Sequence, residues 1–101
     1  MRDLVGRLLG QRGSPRGIDV IVWGKPDCSL CDKAQAILDR LALEYPLRVE
    51  KRDISADPAT RERYRYVIPV VEIGGGPRFE GKISEHRLRQ ALAELGRKKE
   101  P

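Results

Sequence analysis

Cys28 and Cys31 are the only two cysteines in the 101-residue chain, and they stand in the run Lys25-Pro26-Asp27-Cys28-Ser29-Leu30-Cys31. On a helix, residues three apart share a face, so this spacing brings the two sulfurs within reach and suits a local disulfide that opens and closes. At a helix start the free backbone N–H groups carry the positive end of the dipole and favour a thiolate. Cys28, nearer the start and the solvent, is then the attacking thiol and Cys31 its resolving partner. Lys25 adds charge that lowers the Cys28 pKa, whereas Asp27 and Asp32 raise it by repulsion; a partly ionised thiol at neutral pH is the expectation.

Two other uses of such a pair compete. Structural zinc takes about four ligands, usually with a second Cys or His pair, and His86 is the single histidine of the chain. Free cysteines also serve as small buried core residues, but Gly24-Lys25-Pro26-Asp27 just before the pair argues for exposure.

The elements that must hold the pair are legible on both sides of it. Ile18-Asp19-Val20-Ile21-Val22-Trp23 is β-branched and apolar enough for a buried, central strand. Leu30, Ala34, Ile37, Leu38 and Leu41 recur at helical spacing and predict a helix over about Ser29–Leu43. Tyr45-Pro46 stops it, and Leu47, Val49 and Ile54 supply the apolar positions of a strand through Arg48–Asp53. Asp57-Pro58 reads as an N-cap with proline in the first turn, opening a short helix through Thr60–Tyr66. Pro69–Ile73 forms the next strand, Gly74-Gly75-Gly76-Pro77 a turn, and Arg78-Phe79-Glu80 a short edge strand. Ser84 caps a last helix with Leu88, Ala91, Leu92 and Leu95 on its core face, ended by Gly96. The order β-α-β-α-β-β-α predicts an α/β fold with a mixed four-stranded sheet: a right-handed parallel unit, then an antiparallel hairpin, with helices on both faces.

A chain of this length has room for one domain. Residues 1–17 are expected to be a basic N-terminal extension, 18–96 the domain and 97–101 a basic tail. In the extension, Leu4, Val5, Leu8 and Leu9 are interrupted by Gly6 and Arg7, so no continuous secretory core is formed, and they fit one face of a short helix. No apolar run approaches the ~20 residues that span a bilayer, which excludes an integral membrane helix. The two cysteines are too close together to staple a secreted domain, which implies a reducing, cytoplasmic compartment. Twenty Lys and Arg against fifteen Asp and Glu leave a net charge of +5. The two signs are interleaved rather than gathered into a basic stripe, so nucleic acid is not an expected partner.

With these residues in place, the chain resembles the glutaredoxin branch of the thioredoxin fold. The likeness spans about Ile18–Leu95 and rests on the cysteine motif at a strand-to-helix turn, Val67-Ile68-Pro69 before the third strand, and Gly81 before the last helix. It implies a thiol-disulfide oxidoreductase that reduces or exchanges protein or glutathione mixed disulfides, with Cys28 and Cys31 catalytic and Lys25, Ile68 and Pro69 at the substrate. It also implies that Pro69 is cis, packs beside the cysteines and presents the Ile68 backbone to the incoming thiol substrate. Read without the resemblance, Pro69 is the trans start of an edge strand.

The chain departs from the usual glutaredoxin pattern in two places. Ser29 and Leu30 stand where glutaredoxins usually have Pro and Tyr, and Lys82-Ile83-Ser84-Glu85 replaces their acidic pair after the glycine. Weak glutathione affinity is the expectation. Lys25, Arg61, Arg63 and Arg65 could still hold a glutathione carboxylate, the three arginines otherwise reading as solvent-facing. No bound cofactor is expected, with glutathione as cosubstrate; partners are disulfide-containing or glutathionylated proteins and a glutathione or thioredoxin reductase system, with the protein a monomer. The resemblance leaves two alternatives: a thioredoxin-type protein disulfide reductase, and an iron-sulfur cluster held between two subunits. Trp23 reads as core or rim, and His86 as a surface residue.

Overall fold

The computed structural model describes residues 17–96; the expected extension, apart from Gly17, and the tail at 97–101 lie outside the described residues. β1 (Ile18–Gly24) turns Ile18, Val20 and Val22 to one side, where all three are buried. It is the central strand the sequence predicts, paired in parallel with β2 (Leu47–Asp53) and antiparallel with β3 (Val70–Ile73). β4 (Arg78–Glu80) pairs antiparallel with β3, giving the order β2-β1-β3-β4.

Among the described residues, three helices cover this sheet. α1 (Ser29–Leu41) is the crossover from β1 to β2, and α3 (Glu85–Leu95) lies beside it: Leu38, Leu41, Leu88 and Leu92 pack with Val20, Val22, Val71 and Ile73 in one cluster. Strand alternation sends Val70 and Trp23 to the opposite face. There a second cluster joins them to Ile54 and to Tyr64 of α2 (Pro58–Tyr64). The mixed four-stranded sheet with helices on both faces is the fold class read from the sequence. Ser84 caps α3 through the Arg87 N–H, and Gly96 ends it with a left-handed φ of 64°. Arg40 of α1 reaches Glu85 at 2.7 Å, and Arg89 pairs with Glu44 and Glu85, so the two helices are also tied at their rims.

Helical periodicity overstates the core at the helix ends. Leu30 is 36% exposed and Leu95 41% exposed, whereas Ala34, Leu38, Leu88 and Leu92 are buried. Leu30 belongs to the turn that carries the cysteines and Leu95 to the final turn of α3. Helix α1 stops at Leu41 and α2 at Tyr64, earlier than predicted, leaving Leu43 and Tyr66 exposed. Ile54 is not a strand residue: it starts a single 3₁₀ turn, Ile54–Ala56, and plugs the second cluster.

Truncating Leu38 or Leu88 to Ala should therefore cost ~2–5 kcal/mol of unfolding free energy, whereas Leu95→Ala should stay within about 0.5 kcal/mol. Urea titration of the three variants checks this. Equal losses at Leu88 and Leu95 would restore the full predicted helix face.

Candidate active site

The chain leaves β1 at Gly24 and enters α1 through a three-residue turn. Asp27 adopts φ 57°, a left-handed conformation that aspartate tolerates better than most residues, and this swings the chain into the helix. Cys28 is the N-cap of α1, extended at φ −122° and ψ 107°. Its Sγ accepts the Cys31 N–H at 3.2 Å, and its carbonyl accepts the Asp32 N–H at 3.0 Å. A sulfur thus takes the place that Ser, Thr, Asp or Asn oxygen usually fills at a helix start. Cys28 and Cys31 form a disulfide, with Cα atoms 5.2 Å apart. Neither the capping sulfur nor the left-handed Asp27 was read from the sequence; an Asp directly before a helix start was the available signal.

Val70 pairs with Trp23, so Pro69 stands level with Gly24, where the cysteine turn leaves the sheet. The Ile68–Pro69 bond is cis, and Pro69 is fully buried. This is the geometry the resemblance implies, rather than a trans strand start, and β3 begins one residue later, at Val70. The Gly81 N–H donates to the carbonyls of both Val67 and Pro69, at 2.9 Å each, and clamps the segment from both sides of Ile68. Gly81 does so at φ 73°, a conformation open to glycine at little cost. Among the described residues, no backbone bond outside the helices and strands uses the Ile68 N–H or carbonyl. Trp23 lies at the rim, stacked on Tyr64 with ring centroids 5.0 Å apart and with the Arg52 guanidinium on its ring.

Lys25 faces a cavity of about 450 Å³ that it lines with Ile54, Ser55, Arg61, Arg65 and Tyr66. Arg61 and Arg65 are four residues apart and share a face of the short α2 segment. Arg63 points elsewhere, onto the Tyr64 ring at 5.3 Å. Two of the three arginines weighed from the sequence therefore join Lys25, and the third does not. Asp57 fixes α2: its carboxylate accepts the Thr60 N–H at 2.9 Å and the Thr60 hydroxyl at 2.8 Å, and these bonds hold its pKa below the ordinary value. His86 is exposed. A cavity of about 570 Å³ lies at the far end of the sheet against Gly17, Asp19 and Gly74–Gly76, and neither cysteine lines it.

A central strand feeding a helix that begins at a cysteine pair, with a cis proline at the neighbouring strand start, defines a thioredoxin-like protein. A family model described as a glutaredoxin-like domain (DUF836) matches residues 19–93, and the chain belongs to that family. A solved structure of similar fold is the X-ray structure of structural genomics target XcR50 from X. campestris. It is 24% identical, with a TM-score of 0.64, and the alignment covers 74% of this chain and 96% of that one. Comparison with curated proteins gives no match. Family and Cys28–Cys31 pair together fit a redox-active thiol protein. Among the described residues, no helix is long and apolar enough to cross a membrane.

The depressed Asp57 pKa has a definite sign. Its contribution to stability is complete above the ordinary value of 3.8 and is lost as pH falls through the lower folded value. Asp57→Ala should lower the melting temperature at pH 6 and melt with a shallower acid dependence below about pH 4. Parallel acid dependences for the two proteins would show that the cap contributes nothing.

Proposed function

We propose that the protein is a thiol-disulfide oxidoreductase in which Cys28 attacks and Cys31 resolves. The observation carrying this reading is the Cys28 Sγ at the head of α1, accepting the Cys31 N–H at 3.2 Å. Negative charge on that sulfur is stabilised by the free N–H groups and the helix dipole, so the thiolate is favoured where attack must start. The Cys28 thiolate attacks one sulfur of a substrate disulfide, forms a mixed disulfide and expels the other sulfur as a thiolate. Cys31, deprotonated, then attacks the Cys28 sulfur, closing the Cys28–Cys31 disulfide and releasing the second substrate thiolate. Two electrons pass to the substrate, and an external dithiol or two glutathione molecules return them.

Substrate contacts are assigned to Lys25, Ile68 and Pro69. The unused Ile68 backbone groups can pair with an extended substrate segment, and the Lys25–Arg61–Arg65 cavity suits a carboxylate. The substrates on this reading are glutathionylated or disulfide-containing proteins, met by a monomer in a reducing compartment such as the cytoplasm. Either glutathione or a thioredoxin reductase system recycles the dithiol.

Cys31→Ser should accumulate a mixed disulfide on Cys28 when mixed with a protein disulfide, and Cys28→Ser should accumulate none; intact mass reads both. In the reduced wild type, brief iodoacetamide exposure should label Cys28 before Cys31. Trapping on Cys31, or faster labelling of Cys31, would reverse the roles, and trapping by neither variant would remove the proposal. Turnover of a glutathionylated peptide by Cys31→Ser separates the recyclers: it survives if a second glutathione resolves the intermediate and collapses if Cys31 must.

A further inference from the structure

Gly24 closes β1 opposite Asp53 and, two residues beyond Val22, faces the α1 side of the sheet. A Cβ placed on Gly24 would stand 3.0 Å from the Cys31 Sγ and 3.4 Å from the Cys31 Cβ. The sulfur occupies the space that a side chain there would need. Gly24 is not among the glycines of positive φ, which among the described residues are Gly74, Gly75, Gly81 and Gly96. Its backbone is therefore open to any residue, and the close approach of Cys31 is what distinguishes the position. Gly24 and Cys31 also share the wall of a groove of about 490 Å³ between α1 and β2.

We propose that Gly24 is a positioning residue for the resolving cysteine: by presenting no side chain, it lets the Cys31 sulfur settle against the end of β1 in the disulfide. The proposal rests on the redox reading above. In the disulfide, the Cys31 Sγ is tethered to Cys28, and the Cys28 Sγ is itself held by the Cys31 N–H. The tether restricts how far the Cys31 sulfur can give way to a methyl group. In the dithiol the tether is gone, and rotation about χ1 moves the sulfur to another staggered position. A methyl at residue 24 therefore raises the free energy of the disulfide more than that of the dithiol. The exchange it biases is balanced: the Cys28–Cys31 disulfide and two glutathione thiols give the protein dithiol and glutathione disulfide. One S–S bond breaks and one forms, and the two thiol protons and two electrons pass from glutathione to the protein.

The test is the equilibrium constant of that exchange for wild type and Gly24→Ala, read by alkylation and intact mass across a series of glutathione to glutathione disulfide ratios. It should rise about tenfold towards the dithiol in Gly24→Ala, equivalent to ~30 mV for a two-electron couple. A second arm places Gly24→Ala in a Cys31→Ala background, where the opposing sulfur is absent. That double variant should melt no lower than Cys31→Ala alone, even if Gly24→Ala by itself folds poorly. A constant unchanged in Gly24→Ala while the wild type exchanges normally, or an equal melting loss with and without the Cys31 sulfur, overturns the proposal for Gly24 and leaves the redox reading standing. A wild type that does not exchange at all overturns both.

Discussion

β1 is paired along its whole length with β2 and over Val20–Trp23 with β3, so two hydrogen-bonded ladders decide where the chain leaves the sheet. That point is Gly24, and the features of the cysteine site are measured from it. Four residues later Cys28 caps α1, and the same antiparallel register brings Pro69 level with the exit. A slip of one residue in either ladder would turn Val20 and Val22 out of the core, so register here is enforced by burial on the α1 side. The place of the cysteine turn is thus set by the core, and its own Cys28–Cys31 contacts then shape the turn.

The two faces of the sheet are unequal, and the inequality shapes the site. Among the described residues, one face is closed by α1 and α3 around a cluster of ten buried residues, while the other has the short α2, the 3₁₀ turn and a cluster of three. Where α2 ends early, Tyr66 is left in solvent, and Arg61 and Arg65 border a cavity with Lys25 instead of covering more of the sheet. On the side with the smaller core, Arg61 and Arg65 join Lys25 of the cysteine turn. Glu62, near Arg65 at 3.7 Å, is a weak and exposed counterweight.

The Cys28 sulfur combines two tasks that are usually separate. As an N-cap it satisfies the N–H of Cys31 that would otherwise point to solvent, and as a thiol it stands where a helix favours negative charge. The helix start is therefore coupled to the state of the sulfur, and the partner residue supplies both the capped N–H and the second thiol.

Strand and helix order, the central place of the first strand, the Asp57 and Ser84 caps and the turn at Gly74–Gly76 were all legible, because each depends on local periodicity, capping chemistry or turn residues. The cysteine pair at a helix start was legible for the same reason, since a spacing of three has one meaning on a helix. Exposure at the helix ends was not: Leu30 and Leu95 continue the apolar stripe, and among the described residues it is tertiary packing, not periodicity, that leaves them exposed. The isomer of the Ile68–Pro69 bond needed the resemblance, because a dipeptide carries both isomers until its surroundings choose. The meeting of Lys25 with Arg61 and Arg65, the double clamp of Gly81 and the contact of Gly24 with the Cys31 sulfur belong to tertiary structure alone. Each joins residues from different elements, and local pattern holds no record of which elements meet.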